Sequence, residues 1–200
     1  PGRGYVRVDE TGVTGPVSIT ADNCLGGALV SYGNVDVATV ASLTLGAGTV
    51  VKAYGTSTFT VYGTLVTNGT AGAPVVITSY RDDTWGGDTN GDGSATSGGP
   101  SQWYGMAFYA TSSACVLQHT VVRCTGAGSW PAAFVQSSSP TFTNCTISDV
   151  GNGGLQLDSA ARPTASACTF ANILGDPAVR GASFAAVPGF TGNTVVNSPG

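Results

Sequence analysis

Three segments of this chain repeat one short signature at nearly constant spacing. Pro140-Thr-Phe-Thr-Asn-Cys145-Thr-Ile147, Pro163-Thr-Ala-Ser-Ala-Cys168-Thr-Phe170 and Pro188-Gly-Phe-Thr-Gly-Asn193-Thr-Val195 begin on prolines 23 and 25 residues apart (163 − 140 and 188 − 163). A weaker copy, Ala114-Cys-Val-Leu-Gln-His119-Thr-Val121, precedes them. Upstream, Ala41-Ser-Leu-Thr-Leu-Gly, Ser57-Thr-Phe-Thr-Val-Tyr-Gly and Pro74-Val-Val-Ile-Thr-Ser show the same short alternating strands cut by Gly or Pro. A copy this short cannot bury its apolar face alone. Stacked on the next copy, it closes its backbone hydrogen bonds and extends one continuous core. The expected fold is all-β, a right-handed single-stranded parallel β-helix (a β-solenoid) of about eight or nine coils of about 20–25 residues. It forms a single domain over residues 1–200, with an inserted acidic loop at about 81–102. An antiparallel sandwich also has many short strands, but it does not call for an aligned Pro-Thr-x-Ser/Thr-x-Cys/Asn-Thr signature. In this alignment His119, Cys145, Cys168 and Asn193 share one inward-facing column at a bend.

Composition agrees with a strand-built core. Only 9% of residues are charged, and the chain has one Lys (Lys52), one Glu (Glu10) and one Met (Met106), too little material for salt-bridged amphipathic helices. The net charge of −4 argues against nucleic acid or an anionic membrane surface as partner, since both require a basic patch. No run is apolar and long enough for membrane insertion as a helix.

The ordered set Leu43-Thr-Leu-Gly-Ala-Gly-Thr-Val-Val-Lys52, Phe59-Thr-Val-Tyr-Gly-Thr-Leu-Val66, Pro74-Val-Val-Ile-Thr-Ser-Tyr-Arg-Asp-Asp83 and Gly87-Asp-Thr-Asn-Gly-Asp-Gly93, with Trp103 soon after, resembles a known class of repeat. That class is the right-handed β-helix repeat region of large secreted or cell-surface bacterial and archaeal proteins. The resemblance covers roughly residues 40–200 and implies an extracellular or cell-surface setting. It implies no single activity, because one fold carries lyases, hydrolases, adhesins and passive stalks.

Four of the eleven carboxylates, Asp82, Asp83, Asp88 and Asp92, fall within residues 82–92. Asp88-Thr-Asn90-Gly-Asp92-Gly93 places oxygen donors at positions one, three and five and glycine at six. This spacing points to Ca²⁺ held by Asp82, Asp83, Asp88, Asn90 and Asp92, as a clip on a long insertion between coils. It is not an EF-hand, because the twelfth position is Gly99 and the flanks are not helical. The alternative is a solvated Gly/Ser/Asp loop without an ion.

Asn193-Thr-Val195-Val196 reads as the first half of a coil, and Gly4-Tyr5-Val6-Arg-Val8 as an orphaned second half. Tyr5, Val6, Val8, Val195 and Val196 are therefore expected at head-to-tail ends. There, copies of the unit would stack as tandem repeats or as filament subunits. An excised fragment whose caps lie elsewhere is the competing reading.

Cys24, Cys115, Cys124, Cys145 and Cys168 are an odd count, so at least one lacks an intrachain partner. Cys145 and Cys168 read as stacked buried thiols rather than a disulfide. His119 reads as a core residue, not a base. Trp85, Trp103 and Trp130 lie near loops or coil starts, where packing and glycan stacking are both open. Asn68-Gly-Thr70 and Asn144-Cys-Thr146 are glycosylation sequons, Asn68 the better placed. Carboxylates outside the loop are sparse, and no set of catalytic residues recurs. The expected function is therefore a non-enzymatic filament, stalk or fibre module. The alternatives on the same fold are a polysaccharide lyase or hydrolase and an adhesin that binds surface glycans.

Overall fold

The computed structural model describes residues 6–8, 11–13, 15–19, 28–112, 114–181 and 189–199. The elements come in threes along the chain. The first coil is β1 (Val6–Val8), β2 (Thr11–Val13) and β3 (Pro16–Ile19), and the second is β4 (Leu29–Ser31), β5 (Val35–Val37) and β6 (Ser42–Gly46). Then follow β7 (Val50–Ala53), β8 (Thr58–Val61), β9 (Thr64–Asn68), β10 (Val75–Ser79), β11 (Gly105–Phe108) and β12 (Val116–Gln118). The fifth and sixth coils are β13 (Thr120–Arg123), β14 (Ala133–Val135), β15 (Thr141–Thr143), β16 (Thr146–Val150), β17 (Leu155–Leu157) and β18 (Thr164–Ser166). The last described elements are β19 (Thr169–Ile173), β20 (Val179–Gly181), β21 (Phe190–Thr191) and β22 (Thr194–Val196).

Each strand pairs in parallel with the third strand before and after it. Three sheets result: sheet 1, from β1 to β22, has eight strands, and sheets 2 and 3 have seven each. The described residues form a parallel β-solenoid of seven coils with one further strand, fewer coils than the eight or nine expected. The shortfall has one cause. Val75 in β10 pairs with Thr120 in β13, 45 residues on, so one coil is nearly twice as long as the 23 residues between Thr146 and Thr169. The extra length lies between Ser79 and Gly105.

The core is a set of stacked columns. Leu45, Thr67, Leu117, Phe142 and Ala165 follow one another inside sheet 3, and Val51, Ile77, Val122, Ile147 and Phe170 inside sheet 1. The sharp bend from sheet 3 into sheet 1 needs a left-handed residue in each late coil. His119, Asn144, Ala167 and Gly192 supply it with φ of 44°, 54°, 52° and 63°. A second left-handed column, Cys124, Asp149, Asn172 and Asn197, closes sheet 1 with φ of 63°, 54°, 53° and 50°. Three of its four members are Asp or Asn, the residues that tolerate this conformation best after glycine.

Registration moves His119 out of the inward column. Val121 pairs with Thr146, so Thr120, not His119, precedes Cys145, Cys168 and Asn193 in the ladder. His119 sits at the left-handed corner, half-exposed, with Nε2 3.4 Å from Asn144 Nδ2. β1 lies in sheet 1 beside β4, the same sheet as β22, so within one chain residues 6–8 open a coil that β2 and β3 continue.

Candidate metal centre on the outer face of sheet 1

β7 and β10 are buried along their whole length, inner and outer positions alike. Val-Val-Lys-Ala and Val-Val-Ile-Thr-Ser lack the polar alternation of a strand with one wet face, because the long insertion folds over them. Trp85 packs from the insertion onto Val50 and Val76 of the outer face.

The insertion meets a basic column. Lys52 pairs with Thr78, and Arg123 follows Thr78 one residue beyond the Ile77–Val122 pair. Lys52 is fully buried, with Nζ donating to the Gly87 carbonyl at 2.6 Å and to Thr89 Oγ1 at 3.1 Å. Burial lowers its pKa, against the pull of Asp83, Asp82 and Asp88. Asp82 is also fully buried. It accepts from Thr78 Oγ1 at 2.6 Å and from Thr84, and lies 3.5 Å from an Arg123 nitrogen. The returning leg of the insertion closes over it: a Cβ at Gly98 would stand 2.8 Å from Asp82 Cγ. Arg123 also binds Asp149, through Nε at 3.1 Å and Nη2 at 3.0 Å. Asn172 Nδ2 donates to Asp149 at 3.2 Å, and Asn197 to Asn172 at 3.3 Å, so the polar network continues along the left-handed column.

Above this base, ligand oxygens of Asp83, Asp88 and Asp92 lie within 4.8 Å of one another. Asp88 anchors the turn, accepting from the backbone N–H of Gly91 at 2.7 Å, Asp92 at 3.3 Å and Gly93 at 2.9 Å. These bonds, that of Gly93 first, hold its carboxyl below the usual carboxylate range. Asn90 Nδ2 donates to Asp92 Oδ2 and to Thr96, and Thr96 donates to the same Asp92 oxygen. The other oxygens are left over. Asp83 Oδ1, Asn90 Oδ1 and Asp92 Oδ1 are buried with no hydrogen-bond partner. Burial, then the charge of Asp88, pushes Asp83 above its usual range. Three orphaned oxygens among mutually repelling carboxylates fit a hard, oxygen-seeking cation, whose charge would relieve both the repulsion and the lost hydrogen bonds.

The structure thus brings together Asp83, Asp88, Asn90 and Asp92 and sets Asp82 apart as the partner of Arg123. Sequence reading missed Lys52, Arg123 and Asp149. The signal for Lys52 was the missing alternation of its strand. Among the described cysteines, Cys115, Cys124, Cys145 and Cys168 are buried free thiols; Cys24 lies outside the described residues. Cys145 donates to the Leu117 carbonyl at 3.3 Å, and Asn193 accepts from the Cys168 N–H at 2.8 Å. Of the expected end residues, Tyr5 lies outside the described residues, and Val6 and Val8 are placed as backbone only. Val195 and Val196 stand on β22, 55% and 43% exposed, on a strand with no further rung above it among the described residues. Asn68 and Asn144 are both exposed. No protein-family model, no curated protein and no solved structure matches the chain.

Proposed function

We propose that this chain is an extracellular structural module, a stiff β-solenoid rod of a filament, stalk or surface fibre, extended through its ends by further copies and clipped by Ca²⁺ on one face. The observation that carries the reading is the continuity of the three ladders. Backbone hydrogen bonds run coil to coil from β1 to β22, and even the 45-residue coil leaves every sheet unbroken. Such an assembly resists bending, because every coil is held to its neighbours on three faces. The bare edge of β22, with Val195 and Val196 uncovered, supports extension by a second copy. A cation clip supports the extracellular setting, since carboxylate loops of this openness hold Ca²⁺ at the roughly millimolar levels found outside cells.

Electron microscopy of the purified protein, with Ca²⁺ and after EDTA, tests the reading. Uniform rods that lengthen with concentration support it, and their loosening in EDTA supports the clip. Dispersed single particles under both conditions, at any concentration, sink self-assembly.

A further inference from the structure

Two tryptophans precede and follow the same coil step, and the fold treats them differently. Trp103 is fully buried, with Nε1 donating to the Arg123 carbonyl at 2.8 Å, so its polar atom is used up in packing. Trp130 is only half-buried, and its indole N–H has no partner among the described residues. A turn carries Trp130 onto the outer face of sheet 2. Gly126 and Gly128 give that turn its left-handed bends, and Gly126 N–H and Ala127 N–H bind the carbonyls of Tyr104 and Trp103. The Trp130 ring lies along Tyr104 (centroids 5.8 Å apart, 27° between planes) and meets Phe134 edge-on at 6.5 Å and 82°. These rings, with Ser129 and Gln156, line an open pocket of about 430 Å³.

The chemistry of the lining restricts its ligand. No carboxylate, lysine or arginine lines the pocket. Ring faces supply apolar stacking area, while Trp130 Nε1, the Tyr104 hydroxyl and the Gln156 amide nitrogen are hydrogen-bonding groups without a partner among the described residues. The Gln156 oxygen is turned away, accepting from Arg180 Nη2 at 2.7 Å, and Arg180 is tied to Asp176 in turn. An apolar peptide would leave those groups unpaired, and an ionic ligand would find no counter-charge. A neutral ring with apolar faces and a rim of hydroxyls satisfies all of them.

We infer that the pocket of Tyr104, Trp130, Phe134 and Gln156 on sheet 2 binds a neutral hexopyranose unit of a glycan. The site stands independently of the rod reading: a rod that assembles without binding sugar, or a monomer that binds it, separates the two. The test is titration of the intact chain, followed by tryptophan fluorescence and calorimetry, with hexasaccharides of β-1,4-glucose, β-1,3-glucose and α-1,4-glucose and α-1,6-mannose. Polygalacturonate of the same length serves as the anionic comparison. Binding of at least one neutral chain is expected with a dissociation constant of about 0.1–1 mM, reasonable for one small stacking site. Trp130→Ala should weaken it about tenfold or more, and Gln156→Ala should weaken it less while unfolding at the same temperature as the parent. The inference is overturned if no neutral chain binds at about 10 mM, if only the anionic chain binds, or if both variants bind as the parent does.

Discussion

Cys115 occupies the position that Pro140 and Pro163 hold in the following coils, one residue before the pairs of Val116 with Thr141 and Thr141 with Thr164. Its sulfur accepts the Leu65 N–H at 3.2 Å in a fully dry surrounding. Burial pushes the thiol up to about 11 from 9.0. Between those values the folded chain keeps a proton that the unfolded chain has lost. Stability is therefore undiminished below pH 9 and falls as pH rises toward 11, by roughly 3 kcal/mol at 1.36 kcal/mol per unit. Lys52, with its lowered pKa, tilts the other way, raising stability with pH toward 10.5. Urea midpoints measured across this window should fall less steeply for Cys115→Ala than for the parent; equal slopes would refute the assignment. The same cysteine explains a misreading. The repeat was legible because three copies open on proline, and the copy that opens on Cys115 has no such marker. Aligned on Ala114 instead, it slipped by one residue, which put His119 where Thr120 belongs. A one-residue slip turns a strand over, and here it moved a half-exposed corner histidine into the core.

The insertion between β10 and β11 behaves as one electrostatic unit. Its lower layer, Asp82 on Arg123 and Gly87 with Thr89 on Lys52, is closed by the protein's own cations. Its upper layer of Asp83, Asp88, Asn90 and Asp92 keeps three unpaired oxygens. Ca²⁺ is expected to raise the melting temperature over that in EDTA. At a hundredfold excess over the dissociation constant the gain is about 2.7 kcal/mol, or about 5–10 °C for a chain of this size. Asp83→Asn should abolish that gain while leaving the EDTA melting temperature unchanged or higher, because it removes a repelled carboxylate. A Ca²⁺ response that survives Asp83→Asn would place the ion elsewhere. The acidic spacing was readable from residues 82–92, because ligand geometry is local to a turn. The division of labour between Asp82 and Asp83 was not, since it depends on Arg123, some forty residues away in sequence and one rung away in space.

Among the described residues, twenty-two strands on three faces leave a remainder of one, and if copies join end to end as proposed, this sets how they meet. The last strands are β20 on sheet 2, β21 on sheet 3 and β22 on sheet 1. A second copy continues all three without a gap only if its β1 lands on β20, its β2 on β21 and its β3 on β22. Each copy is then turned by one face, about 120°, and advances by about 35 Å at the usual strand separation of roughly 4.8 Å. Image analysis of filaments should return that screw; a pure translation would mean that subunits meet with strands missing between them. The coil lengths also have a mechanical consequence. Tension applied along the axis peels the ladders one turn at a time, like thread leaving a spool. Most turns pay out 22–26 residues, about 75–90 Å of extended chain, but the turn between Val75 and Thr120 holds 45, about 150 Å. Optical-trap records should therefore show a train of near-equal steps broken by a single double-length one. If the loop holds Ca²⁺ as proposed, that long step should come at lower force in EDTA, and the loop would act as a slack reserve whose release is set by the calcium around it.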